Sequence, residues 1–183
     1  SMPIGGAAGA RLLIWPGADL AGDMDSAKAT GGFWVELACG DHRWPLAWQS
    51  KRQTSTAIST AESETISLQR CLHKEGLPLQ EALSSMLGVS IPLLALEDNS
   101  QCIAAVTNGY SANMRQLSRV QRTCISAMHE LFYPEVEEDF LTGELDAQPE
   151  LNCSIIYCPS GDHKGDMFTL PLIHICRCRR RRY

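Results

Sequence analysis

The chain has no apolar run close to the roughly 20 residues that a bilayer-crossing helix needs. Its continuous apolar stretches, such as Leu12 to Trp15 and Ile91 to Leu96, are far shorter. The opening Ser-Met-Pro-Ile-Gly-Gly-Ala lacks a basic segment followed by an apolar core. A membrane span and a secretory leader are therefore not expected, and the protein should stay inside a cell. No internal repeat is visible, and the 20% of charged and 44% of hydrophobic residues are ordinary for a globular domain rather than a disordered one.

Basic charge is scarce outside one stretch. Five of the sixteen Lys and Arg residues fall in the last seven positions, so everything before Arg177 carries eleven basic against 21 acidic groups, a balance of -10. Such a surface does not capture nucleic acid by bulk charge. It suits carboxylates neutralised by divalent cations. Cysteine, in contrast, is plentiful at eight residues. They are scattered through periodic segments in a chain with no export signal, so they read as free thiols. His174, Cys176 and Cys178 form the one dense group, but C-x-C is not a tetrahedral zinc spacing and a fourth ligand is missing.

The 183 residues suit one domain. Residues 1–9 read as a flexible start, 10–172 as the folded domain and 173–183 as an atypical Arg- and Cys-rich tail. The tail could bind nucleic acid or direct nuclear import. Leu12 to Trp15, closed by Pro16-Gly17, is expected to be a strand. Phe33 to Leu37 and Trp44 to Trp48 follow around a Gly40-Asp41 turn, completing an antiparallel meander.

From Ser59 the period changes to three and four residues through Ala61, Thr65, Leu68 and Leu72, a helix that Pro78 should break or kink. A second amphipathic set, Leu79 to Leu87, ends at Gly88. Ile91 to Leu96 is a fourth strand, delivering Glu97, Asp98 and Asn99 at its end. Helices are expected over Ser100 to Asn108 and around Val120 to Leu131, a fifth strand over Leu151 to Cys158, and a final helix from near Gly165. Residues 134–150, with seven acids and no base, read as a solvated loop. The fold class is mixed α/β.

Four carboxylates lie where such a fold can gather them: Asp19 after the first strand, Glu64 in the first helix, Asp98 after the fourth strand and Asp166 near the end. The residues around them carry a resemblance. A-D-L-A-G-D-M-D-S (Ala18–Ser26) and S-A-K-A-T-G-G (Ser26–Gly32) resemble D-A-D-W-A-G-D-x-D-S and S-x-K-S-T-S-G. L-A-W-Q-S-K-R-Q-T-S-T-A-I-S-T-A-E-S-E-T (Leu46–Thr65) resembles I-S-W-K-S-K-K-Q-x-x-x-A-x-S-S-T-E-A-E-Y. E-D-N-S-Q (Glu97–Gln101) resembles C-D-N-Q-S, and G-D-M-F-T (Gly165–Thr169) resembles A-D-I-F-T-K. In this order the five motifs resemble the ribonuclease H domain of copia-type retrotransposon Pol polyproteins.

That resemblance implies a five-stranded mixed sheet, three antiparallel strands then parallel ones, flanked by helices. It also implies hydrolysis of the RNA strand of RNA–DNA hybrids with two Mg2+ or Mn2+ ions. Glu64, Asp98 and Asp166 match the family's metal-binding catalytic carboxylates. Glu62, two residues from Glu64, cannot share its helix face and reads as a solvated first-turn acid. Lys51, Arg52, Arg115, Arg119 and Arg122 are candidates for phosphate contact, and His163 and Lys164 for proton transfer or phosphate binding. The implied partners are the hybrid and the reverse transcriptase and integrase segments of one polyprotein.

The first catalytic position departs from the family. Gly17 stands where the leading aspartate of D-A-D belongs, and Asp19 is the acid left to serve. Residues two apart face the same side of a strand, but their Cβ atoms lie roughly 6 to 7 Å apart. Restoring the acid with Gly17→Asp is expected to raise activity. Leu170 replaces the lysine of F-T-K, and the Arg-rich ending does not resemble a packed helix, as in a degenerate or out-of-frame copy. Two readings stand: a metal-dependent ribonuclease H, or an inactive hybrid-binding domain or decayed fragment of the same origin.

Overall fold

The computed structural model describes residues 9–20, 29–53, 57–114, 117, 123–134 and 152–169. The expected acidic loop after Pro134, the flexible start before Gly9 and the Arg-rich tail lie outside them, as do Arg115, Arg119 and Arg122.

Five strands form one sheet in the order β3-β2-β1-β4-β5. β1 (Ala10–Asp19), β2 (Thr30–Cys39) and β3 (His42–Arg52) are antiparallel, with Gly40 at φ +55° in the turn between the last two. β4 (Leu93–Glu97) joins β1 in parallel, and β5 (Cys153–Tyr157) joins β4 in parallel. β1 does not stop at Pro16-Gly17. Its pairing with β2 carries on through Pro16↔Phe33 and Gly17↔Gly32 to Asp19↔Thr30. The ladder to β4 ends at Ile14↔Ala95, so the missing donor of Pro16 falls beyond the stretch hydrogen-bonded on both sides.

α1 (Thr60–Cys71) crosses the sheet, and its N-cap Ser59 accepts the Glu62 N–H. The chain is not broken at Pro78. It passes through one π-helical turn, Leu72–Gly76, into α2 (Leu77–Leu87). The Leu77 N–H donates to Leu72 O, and this wider turn takes up the crowding that a proline imposes on the preceding carbonyls. α2 ends at Gly88 in the left-handed region, α3 (Ser100–Asn108) ends likewise at Gly109, and α4 (Ile125–Phe132) follows. The final helical piece is a 3₁₀ helix, Lys164–Phe168.

Strand alternation splits the core. Leu12, Ile14, Leu93 and Ala95 turn toward α1, where Leu68, Cys71 and Leu72 meet them, with Val106 and Phe132 from α3 and α4. Leu13, Trp15 and Ala38 face the opposite side, with Cys158 against them. The main cluster buries about 1.5–3 kcal/mol of transfer free energy per large side chain. Among the described cysteines none is disulfide-bonded; four are buried, Cys39 is half-buried and Cys124 is exposed.

Candidate active site

The inner face of α1 is polar where it meets the ends of β1 and β2. Ser67 Oγ lies 2.7 Å from Gly17 O and 3.0 Å from Gly32 O, tying the helix to both strands. Gln53 Nε2 donates to Ser63 O at 3.0 Å. The Ser67 hydroxyl thus serves strand carbonyls at the end of the sheet, and Gln53 serves one on α1. They also fix the rotation of α1, so that Glu64 points into the sheet while Glu62 turns back to the cap. Glu62 is buried rather than solvated: its Oε2 accepts the Ile58 N–H at 2.7 Å, a reciprocal cap with Ser59.

Glu64, Glu97 and Asp98 converge. Each offers a carboxylate oxygen, and the three atoms lie within 4.8 Å of one another. Glu64 reaches the end of β1, where its carboxylate accepts the Ala18 N–H. Glu97 occupies the last inward position of β4, in line with Leu93 and Ala95, and is completely buried. Its Oε1 accepts the Asn99 N–H at 3.3 Å. Glu64 Oε2 and Glu97 Oε2 are buried and have no hydrogen-bond partner among the described residues. Asp98, next along the chain, points outward enough for Ser160 Oγ to donate to its Oδ2 at 2.6 Å. A concavity of about 480 Å³ borders Asp98, lined also by Ser59, Thr60, Ala61, Asn99 and Gln101.

Crowding of like charge away from water shapes the protonation here. Burial, then the neighbouring Glu97 charge, raises Glu64 well above the usual carboxylate range, against the Ala18 N–H bond, and Asp98 and Asp166 add to the rise. Burial also raises Glu97, against the charge of His163 and the Asn99 N–H bond. A hard divalent cation fits such a donor set: oxygen ligands only, two of them without any other partner.

Asp166 approaches from the 3₁₀ helix, close enough for its charge to bear on Glu64 and Glu97. His163 Nδ1 is 2.8 Å from Asp166 Oδ1, and Nε2 is 3.0 Å from Leu96 O. Both partners are acceptors, so the ring makes both bonds only as an imidazolium. Burial opposes that charge, but the Asp166 carboxylate and the Leu96 carbonyl outweigh it and raise the His163 pKa. Lys164 does not face the cluster. Its ammonium holds buried Glu36 on the opposite face of the sheet, at 2.8 and 2.7 Å from the two carboxylate oxygens, and lies 4.7 Å over the Trp15 ring.

Glycines let this helix press against the strands. A Cβ on Gly165 would stand 2.6 Å from Trp15 O, and one on Gly32 would stand 2.8 Å from Phe168 Cβ. A Cβ on Gly17 would meet the Gly165 carbonyl carbon at 3.3 Å. An aspartate at position 17 would thus press on the segment that carries Asp166.

Asp19 is half-buried at the end of β1 and outside the three-carboxylate cluster. Arg52 shares its cross-strand row through Thr30, and Lys51 is its neighbour; both basic residues are exposed. They lie at the same end of the sheet as the carboxylates. Glu97 was missed as a site residue by sequence reasoning, although the inward alternation of Ile91, Leu93 and Ala95 points to it: an acid in the next inward position is an anomaly.

No protein-family model matches the chain. One curated relative, the secreted RxLR effector protein 161 of Plasmopara viticola, is 36% identical over 59 residues, 32% of this chain and 39% of that protein's length. Among solved structures, the N-terminal RNase H domain of a Mycobacterium tuberculosis protein superposes with a TM-score of 0.50 at 11% identity, covering 87% of this chain and 90% of that one. A foamy viral protease-reverse transcriptase, solved with double-stranded DNA, gives a TM-score of 0.34 at 13% identity over 88% and 91% of the two chains. With the strand order and directions above, the first of these shows that the fold is ribonuclease H-like.

Proposed function

We propose that this domain is a metal-dependent ribonuclease H of copia-type retroelement origin, acting inside a cell on the RNA strand of RNA–DNA hybrids. The observation that carries the proposal is the convergence of Glu64, Glu97 and Asp98 at the end of a ribonuclease H-like sheet, with two buried oxygens, on Glu64 and Glu97, that have no hydrogen-bond partner among the described residues. Divalent ions, Mg2+ or Mn2+, would supply Lewis-acid charge for the attacking water and the leaving oxygen of a phosphodiester. Glu64 and Asp98 would hold this charge, with Asp166 as the further carboxylate of the resemblance and Asp19 as the acid left to stand in for the one missing at Gly17.

The protein's own groups do the positioning. Ser160 fixes one oxygen of Asp98 and leaves the other for the site. His163 orients Asp166 and, as an imidazolium, offsets part of the negative charge. Lys51 and Arg52, at the same end of the sheet, would steady the phosphates of the hybrid, and Arg115, Arg119 and Arg122 would extend that contact. Reverse transcriptase and integrase segments of one polyprotein are the proposed partners.

Gly17 favours a second reading. With no carboxylate there, the domain would bind hybrid without cutting it. A labelled RNA–DNA hybrid incubated with the chain and Mg2+ separates the two. Cleavage that is lost with chelator and with Asp98→Asn supports the nuclease. Retention of hybrid without cleavage supports the binding domain, and neither binding nor cleavage would refute both.

A further inference from the structure

Glu97 is the one member of the cluster with no counterpart in the resemblance, since the C-D-N motif has cysteine where this chain has Glu97. It is also the residue whose burial is hardest to explain without a ligand. Its side chain is wholly enclosed, one oxygen takes a single backbone N–H and the other has no partner. An enclosed carboxylate without partners is strongly disfavoured. His163, the cation that acts on it, has both ring nitrogens engaged elsewhere, by Leu96 O and Asp166.

The position of Glu97 is equally telling. The parallel register of β1 and β4 pairs Leu12 with Leu93 and Ile14 with Ala95. Carried on by one more step of two, it sets Glu97 level with Pro16 on the α1 face of the sheet, the face from which Glu64 reaches in. Resting on the nuclease reading above, we infer that Glu97 is a cation ligand, a carboxylate added to the site from β4.

The donor geometry agrees. A hard cation with oxygen ligands at about 2.0–2.6 Å can touch atoms up to roughly 4–5 Å apart. The oxygens of Glu64, Glu97 and Asp98 fall within 4.8 Å of one another. Three carboxylate oxygens select Mg2+, Mn2+ or Ca2+ over thiophilic ions.

The test is Mn2+ binding to the full chain, followed by the electron paramagnetic resonance signal of the free ion. Wild type, Glu97→Gln, Asp98→Asn and, as an exposed control on α2, Glu81→Gln are compared. The expected result is that Glu97→Gln and Asp98→Asn each weaken Mn2+ binding by about tenfold or more, whereas Glu81→Gln binds like wild type.

Glu97→Cys gives an independent signature. A thiolate ligand should weaken Mn2+ but strengthen Cd2+, reversing the preference of the site. If Asp98→Asn weakens binding while Glu97→Gln does not, or if Glu97→Cys leaves the Cd2+ to Mn2+ preference unchanged, the inference is overturned and the nuclease reading stands. If wild type takes up no Mn2+ at millimolar concentration, both fall together.

Discussion

Lys164→Met should destabilise the domain through a residue that never touches the carboxylate cluster. Glu36 has 2% of its side chain exposed, and its two oxygens are held by Lys164 Nζ and, at 2.8 Å, by Trp34 Nε1. Methionine is close to lysine in length but loses the ammonium over the Trp15 ring and leaves an enclosed carboxylate with one neutral donor and Arg43, whose Nε is 3.7 Å away. Breaking a fully buried pair costs about 3–5 kcal/mol. Lys164 is 40% exposed and Arg43 can move in, so solvent screening reduces this to about 1–3 kcal/mol. For a domain of this size, about 2 kcal/mol lowers Tm by roughly 4–8 °C. Thermal melts of Lys164→Met, Glu36→Gln and the double variant form the assay. The double variant should recover part of the loss, because no charge is then stranded. Strict additivity, or a Lys164→Met melt indistinguishable from wild type, would show that the pair does not anchor the 3₁₀ helix.

Gly17→Asp should lower the Tm of the metal-free chain, since its Cβ must displace the Gly165 backbone from 3.3 Å, at about 1–3 kcal/mol for overpacking. Mn2+ should recover part of the loss in a melt, and hybrid cleavage should rise; a rise with no loss of stability in the metal-free chain would contradict the packing argument. In chelator, stability should fall as pH rises from about 5 toward 9. Glu64, Glu97 and His163 all have raised pKa values in the fold, so the folded chain retains protons that the unfolded chain releases over this range. Glu97→Gln should flatten the slope, and a Tm that climbs between these pH values would refute the raised carboxyls.

Local signals carried most of the fold. The turn at Gly40-Asp41, the stops at Gly88 and Gly109, and the extent of α3 depend on a few adjacent residues and appear where their chemistry puts them. Non-local effects were hidden. Nothing within the sequence around Pro16-Gly17 reveals that Phe33 and Gly32 lie opposite and keep β1 extended. The π turn before Pro78 likewise depends on α1 and α2 both packing on the sheet. In the candidate site, motif order pointed to Glu64 and Asp98, which the structure brings together with Glu97; Asp166 and Asp19 lie outside that cluster, Asp166 near enough for its charge to bear on it. Motif reading misses Glu97 because it compares residues with a pattern, whereas a buried acid is recognised by the face of the strand on which it falls. The roles assigned to Glu62 and Lys164 changed for the same reason: cap geometry and a partner 128 residues away decide them.

The packing of the 3₁₀ helix against tryptophans makes the domain optically self-reporting. Trp34 stacks on Phe168 with ring centroids 5.8 Å apart, and Trp15 is nearly sealed beneath Lys164. Any event that lifts the Asp166 segment from the sheet admits water to these two indoles. Their emission then shifts to the red without a label, and the exposed Trp48, which stacks on Trp34, emits at long wavelength from the outset. Seating of the segment that carries one of the proposed catalytic carboxylates can therefore be followed in real time, during cation titration or hybrid binding, by intrinsic fluorescence alone.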